Sequence, residues 1–336
     1  MDGTRALMDM GILPLRNRTS GGNFKPHLSL AFRSGGELRT FGVDTTRNGR
    51  KDGQHFLITH AHTDHFGKSA MLSERSLASE ETAITLELRH DQYFKGRRFQ
   101  VGETVDVDGV RVRTCRTHHS LGATAFFWEN DLGVKILVTG DVKDYRELPR
   151  CDVLITEATY GDPSDPDCIF KDDLDSFEAA LAHRRVGFGA YAFGKAQRAV
   201  SMARDFGFDE PIAMDRSSLL LTRRLLGAAA GELAALNGAE HRLSITSPWT
   251  LNNLPFGTRK YVLTGQRHYE HPTICISDHL DFAGLRDMVF GLDPQLTLVY
   301  HPDGGGNAAA FAGYLNGHGK PACALADLDA TASDLP

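Results

Sequence analysis

The stretch ITHAHTDHFG, residues 58–67, begins within the apolar run HFLIT (55–59) and places His60, His62, Asp64 and His65 within six positions. Side chains of an extended chain point alternately to opposite faces, so His60 and His62 share one face as a strand runs out, while Asp64 and His65 follow on the turn. Four ligand-type residues at H-x-H-x-D-H spacing can surround a pair of metal sites. Imidazole and carboxylate suit zinc, or manganese where oxygen ligands dominate, and the lack of nearby cysteine fits a catalytic site better than a closed structural one. A chain that ends a strand in this way must bring other segments back to the same place to complete the ligand sets.

The rest of the composition leaves room for such a site. The chain has 336 residues, 41% of them hydrophobic, and a formal charge of -6, which describes an ordinary globular protein of one large or two medium domains. Cys115, Cys151, Cys168, Cys275 and Cys323 are scattered without a C-x-x-C pair, which argues for reduced thiols and against a zinc ribbon. No apolar stretch is long enough to cross a bilayer and no basic-then-apolar leader opens the sequence, so the expectation is a cytoplasmic protein with no membrane partner. Mild acidity means that any nucleic-acid contact must come from a local basic surface.

Residues 1–25 read as an extended lead-in or edge element rather than a helix. The runs 28–32, 38–44 and 55–59 have strand character, and 74–90 reads as a short helix, a strand and another short helix. "VGETVDVDGVRVRTCRT" alternates around a VDG turn, a hairpin signal, and "ATAFFWENDLGVKILVTGD" gives two more strands ending at Asp141. A further strand ends near Glu157. From Phe170 onward helices and strands alternate, with a helix over 217–236, which predicts a small parallel α/β unit. The tail 327–336 reads as loose.

Further stretches carry a resemblance. "HHSLGATAF" (118–126), "LVTGD" (137–141), "VLITEATYG" (153–161), "ICISDHLDFAGL" (274–285) and "LVYHPDGG" (298–305) follow the cluster in an order that resembles the metallo-β-lactamase superfamily, in its β-CASP nuclease branch. The resemblance implies an α/β fold: a four-layer αββα sandwich (residues 1–165 and 271–336) with an inserted small α/β β-CASP cap (166–270). It also implies two divalent cations, zinc with manganese as the alternative. One would be held by His60, His62 and His119 and the other by Asp64, His65 and His301, with Asp141 bridging them. Of the adjacent His118 and His119, the alignment takes His119. Asp44, at the end of "FGVD", falls where the family orients its metal loop, although Thr45-Thr46 replaces the usual following pair.

The same resemblance implies a nuclease. Glu157 and His279 match its acidic and histidine motifs, His279 as the acid that protonates the departing sugar oxygen and Glu157 as its hydrogen-bond partner. "GAYAFGKAQRAV" is close to a run of the compact ligase-associated DNA exonucleases, and Gly194, Lys195 and Ser277 are candidate phosphate contacts. Exonuclease action on single-stranded DNA ends in DNA repair is the first expectation. RNA processing of the mRNA 3'-end or RNase J type is the alternative, and a small-molecule metallo-hydrolase or a non-catalytic scaffold are the rivals.

Overall fold

In the computed structural model, residues 2–16, 18, 21–25, 27–45, 54–66, 68–237, 240–265, 269–301 and 307–329 are described. The chain divides into two compact units, Met1–Ile169 with His279–Pro336, and Phe170–Asp278. Among the described residues no helix is long and apolar enough to cross a membrane.

The first unit is built on two sheets. Strands β1 (Ile12–Leu15), β2 (Leu28–Ser34), β3 (Glu37–Val43), β4 (Gln54–Leu57), β5 (Ser76–Ser79) and β6 (Arg97–Phe99) lie side by side in chain order. The first two pairs are antiparallel and the last three are parallel. The second sheet begins with β7 (Thr104–Val107), β8 (Val110–Arg116), β9 (Thr124–Glu129), β10 (Lys135–Val138) and β11 (Val153–Thr156). The β7–β8 hairpin turns through Asp108 and Gly109, both at positive φ (49° and 84°), as a two-residue primed turn demands.

Between β11 and the strands that finish this sheet, the chain makes the second unit. There β12 (Val186–Gly189), β13 (Ile212–Met214), β14 (Leu233–Ala235), β15 (Leu243–Thr246), β16 (Arg259–Leu263) and β17 (Thr273–Ile274) form an all-parallel sheet in the order β14-β13-β15-β12-β16-β17. Its core stacks Phe177 on Phe188, with ring centroids 4.8 Å apart. Back in the first unit, β18 (Leu296–Val299) and β19 (Ala322–Ala324) join β11 in parallel, giving a sheet of order β19-β18-β11-β10-β9-β8-β7.

Eight helices accompany these strands among the described residues: α1 (Gly3–Asp9), α2 (Lys68–Met71), α3 (Glu80–His90), α4 (Leu174–Leu181), α5 (Lys195–Asp205), α6 (Arg216–Leu226), α7 (Phe282–Leu292) and α8 (Asn307–Gly317). In the first unit α3 packs on β5 and β6, and α8 packs on β18 and β19. Alternate residues of both sheets enter one core: Leu28, Leu30, Phe32, Phe41 and Val43 from one side, and Val110, Val112, Ile136, Val138, Val153, Ile155, Leu296 and Leu298 from the other. Leu137 and Leu154, which point the opposite way, are also fully buried, as strands covered on both faces require. The result is a mixed α/β sandwich.

Several local expectations need correction. Residues 3–9 are helical because the Asp2 carboxylate caps the Arg5 N–H, and Leu7 is buried in the core; GILPL is an edge strand. Residues 76–79 are a strand rather than a helix. Ser79 then caps a single helix whose first turn carries Glu80 and Glu81. The helix expected over 217–236 stops at Leu226, since Gly227 and Gly231 take positive φ, and Leu233–Ala235 pairs beside β13. The described part of the tail is anchored: Leu328 is buried and Asp329 bonds Thr4, while residues 330–336 lie outside the described residues.

Phe41 sits at the centre of the sandwich, 5.1 Å from the Phe32 ring and 5.2 Å from Trp128. Phe41→Ala should lower unfolding stability by about 3–5 kcal/mol, read from urea denaturation followed by tryptophan fluorescence, and a loss under about 1 kcal/mol would contradict this packing.

Candidate metal centre

Apart from His279, each sequence-predicted residue of the cluster stands just past the C-terminal end of a strand. Asp44 follows β3, His60 to His65 follow β4, His119 follows β8, Asp141 follows β10, Glu157 follows β11 and His301 follows β18. Strands β8, β10, β11 and β18 run in one direction, because β8 and β10 are each antiparallel to β9 and the other neighbours are parallel. Their carboxyl ends therefore share one edge of the sheet, the place where open α/β sheets carry ligands. Strand β10 ends at Val138 rather than at Asp141, and the chain bends through Gly140 (φ 58°). A Cβ on Gly140 would lie 2.5 Å from Thr59 Oγ1, so only glycine lets the Asp141 loop approach the histidine loop this closely.

The ligand atoms gather in three groups, each with members within 4.8 Å of one another: His60, His62, His119 and Asp141; Asp64, His65 and His301; and Asp141, Glu157 and His279. In the first, His62 Nδ1 lies 3.1 Å from His60 Nε2 and 2.9 Å from His119 Nε2. Asp141 Oδ2 lies 3.5 Å from His60 Nε2 and 3.4 Å from His119 Nε2. The edge of a tetrahedron with metal–nitrogen bonds of about 2.05 Å is about 3.3 Å, so these separations suit one zinc-sized ion. In the second group His65 Nε2 is 3.3 Å from His301 Nε2, 3.7 Å from Asp64 Oδ2 and 3.3 Å from Asp141 Oδ1. Asp141 thus turns one oxygen to each group. Its Oδ1 is buried without a hydrogen bond, an arrangement that suits a cation. These residues can hold metal.

Asp44 holds the histidines in register. It is buried in the left-handed region (φ 44°); Oδ1 accepts from Thr59 N at 2.8 Å, and Oδ2 accepts from Thr59 Oγ1 at 2.7 Å and faces His65 Nδ1 at 2.9 Å. Thr59 Oγ1, its proton given to Asp44, can accept from His60 Nδ1 at 3.0 Å. With Nδ1–H of both imidazoles directed at these acceptors, Nε2 is the nitrogen each turns to the cluster, the orientation a metal needs. Sequence reasoning overlooked Thr59 because a threonine before a histidine has no distinguishing pattern. It also overlooked Arg89, whose Nη1 donates to Ala61 O at 2.7 Å from α3 and braces the loop between His60 and His62.

Charge follows from this packing. Burial, then the neighbouring imidazoles of His65, His119, His62 and His279, hold His60 well below the usual histidine range and hence neutral. Burial also presses on His65, but Asp141, Asp44 and Asp64 outweigh it and raise its pKa to about 10. Burial would raise the Glu157 carboxyl, yet His279 and the bonds from Thr159 and Val142 bring it down to about 2. Burial raises Asp141, with Glu157 adding to the effect.

His279 Nδ1 lies 2.9 Å from both Glu157 oxygens and 4.0 Å from Asp141 Oδ2. His118, at φ 59°, turns away and faces Glu147 at 3.6 Å, whereas His119 is buried in the cluster. Gly194, Lys195 and Ser277 belong to the second unit and to another network. There Lys195 Nζ donates to Ile276 O at 2.8 Å and pairs with Asp278 at 2.9 Å. Residues 302–306 and Thr46 lie outside the described residues.

No family model matches the chain. A protein of Pyrococcus furiosus named UPF0173 protein PF0020 is 34% identical over 80 residues, which is 23% of this chain and 37% of that protein, so the match spans little more than a third of the relative's length. A solved structure described as a protein of unknown function from Enterococcus faecalis V583 superposes with a TM-score of 0.57 at 12% identity, covering 86% of this chain and 93% of that one. That likeness is one of fold. The α/β sandwich and the His/Asp cluster at its strand ends fit a metallo-β-lactamase-like fold.

Metal binding here should release protons. A ligating His65 must be neutral, but in the metal-free fold its pKa is about 10, so at any pH below that an arriving ion displaces a proton. Affinity should rise by about tenfold per pH unit between pH 6 and 8 for each proton released, measured by calorimetry in buffers of different ionisation enthalpy. A pH-independent affinity would contradict the assignment of His65.

Proposed function

We propose that the chain is a metal-dependent phosphodiesterase that hydrolyses nucleic acid, an exonuclease of the β-CASP kind acting on single-stranded DNA ends, with the unit Phe170–Asp278 as its β-CASP insertion. The observation that carries this reading is the Glu157–His279 pair beside Asp141, which puts a histidine backed by a carboxylate within 4.0 Å of the ligand set. A metal site built only to activate water needs no such second group. Phosphodiester cleavage does, because its sugar-oxygen leaving group must be protonated.

Two divalent cations, zinc with manganese as the alternative, held by His60, His62, His119, Asp64, His65, His301 and a bridging Asp141, would supply a water-derived nucleophile at neutral pH and neutralise charge on the phosphate. The chain's own groups do the rest. Glu157, ionised down to about pH 2, accepts a hydrogen bond from His279 Nδ1–H and stabilises the imidazolium. The cationic His279 then donates its Nε2 proton to the departing oxygen and is left neutral, with Nδ1–H still on Glu157. Asp44 and Thr59 keep His60 and His65 oriented throughout.

The test is metal-dependent product release from matched 5'-labelled single-stranded DNA and RNA, with a chromogenic lactam and a thioester run alongside; turnover of only the latter pair overturns the nuclease reading. RNA cleaved in preference to DNA would move the chain to the RNA-processing type. His279→Ala should keep its metal and lose about 10²–10⁴-fold in turnover, whereas Asp141→Ala should lose both metal and turnover. Equal metal loss in the two variants, measured by elemental analysis, would show that His279 is a ligand rather than the acid.

A further inference from the structure

Lys195 opens α5 and Arg198 follows one turn later on the same face. Both reach the buried carboxylate of Asp278: Lys195 Nζ lies 2.9 Å from Oδ2 and Arg198 Nη1 lies 2.9 Å from Oδ1. Lys195 also donates to Ile276 O at 2.8 Å, and Arg198 donates to Ser277 O. The other end of the Arg198 guanidinium pairs with Asp172, whose Oδ1 accepts from Ser277 N at 2.9 Å. Beside it Asp173 N donates to Cys275 O at 2.7 Å.

Residues 172–173 and 275–278 are where the chain enters and leaves the second unit. Two cations from one helical turn therefore bind both crossings together and satisfy the carbonyls of Ile276 and Ser277. Buried ion pairs of this kind add little net stability over apolar packing, because desolvation offsets the attraction. What they supply here is one backbone geometry, over the three residues that precede His279. His279 is in turn placed by Glu157, and Leu280 N is fixed on Val142 O at 2.8 Å.

We infer that Lys195 and Arg198 are positioning residues: by clamping Asp278 and Asp172 they fix the backbone that delivers His279 to Glu157. The inference rests on the reading of His279 as the acid. A displacement of about 1 Å in such a group can cost about 100-fold in rate, so a clamp that acts only through its neighbour should still be visible in turnover.

The test is a double-mutant cycle on the metal-loaded full chain, with bis(4-nitrophenyl) phosphate and single-stranded DNA as probes. Arg198→Met should lower kcat by about 10- to 100-fold with KM and metal content unchanged, and Arg198→Lys, which keeps the charge but not the fork, should fall between. In a His279→Ala background Arg198→Met should cost nothing more, because the group it positions is gone. The same fold-loss in both backgrounds would overturn the inference and reduce the clamp to a general structural element. Hydrogen exchange gives an arm that needs no turnover: Arg198→Met and Lys195→Met should each speed exchange of the Ser277 and Leu280 amides, and unchanged exchange would overturn the clamp. If the wild type cleaves neither probe, the nuclease reading fails, while exchange still decides whether Lys195 and Arg198 hold this segment.

Discussion

A carboxylate shut away from water needs positive charge or protons on both its oxygens, and Asp141 is such a group. It is 3% exposed, with Oδ2 facing His60 and His119 and Oδ1 facing His65. The imidazole nitrogens around it face one another at 2.9–3.3 Å, an arrangement in which lone pair meets lone pair unless a proton or cation lies between. The carboxylates of Asp141, Asp44 and Asp64 push His65 up to about 10 against its burial, and burial raises Asp141 itself. Removing the protons leaves two sets of inward-facing donors with a carboxylate between them. The surrounding fold is arranged to impose this otherwise unfavourable convergence.

It does so through the strand ends. Backbone bonds stitch the loops into a continuous rim: Thr124 N to Thr59 O at 2.9 Å, Thr139 N to Ile155 O at 2.9 Å, Tyr300 N to Thr156 O at 2.8 Å, and both Lys143 N and Asp144 N to Thr117 O. Tyr300 adds its hydroxyl to Val43 O at 2.8 Å, tying the segment that follows β18 to the last residue of β3. Beneath the rim the Phe32–Phe41–Trp128 packing holds the two sheets face to face. Strand ends, and backbone bonds between the loops that follow them, therefore set the spacing of the donors, as a site with narrow geometric tolerance requires.

The parts of this site that the sequence made legible are those where spacing alone carries chemistry. His60, His62, Asp64 and His65 declare themselves within six residues, because a strand that ends in ligands has a local pattern. His119, Asp141, Glu157, His279 and His301 have none: each is an ordinary turn or cap residue by itself, and only the order of the motifs connects them. Arg198 and Asp278, 80 residues apart in the chain, could not be paired by any periodicity. Among the elements, ELAAL reads as helix on propensity and yet Leu233–Ala235 forms an edge strand, because two positive-φ glycines and pairing beside β13 outweigh a preference of a few tenths of a kcal/mol per residue. The helix at residues 3–9 went unread because seven residues without a clear apolar stripe depend on a cap and on tertiary packing rather than on pattern.

Asp141 and Glu157 are near neighbours, both buried, yet they are driven in opposite directions. Glu157 is surrounded by donors: Val142 N at 2.8 Å, Thr159 N at 3.2 Å and the His279 ring at 2.9 Å, enough to keep it ionised in spite of burial. Asp141 lacks a hydrogen bond on Oδ1 and is raised. Divergent environments for paired carboxyls are how a single site divides its labour. A carboxylate already held by protein donors is the poorer ligand for an ion and the better partner for a histidine; one left short of donors is suited to bridge cations. This difference, set by two backbone amides and one imidazole, separates the residue that would hold metal from the residue that would tune the acid.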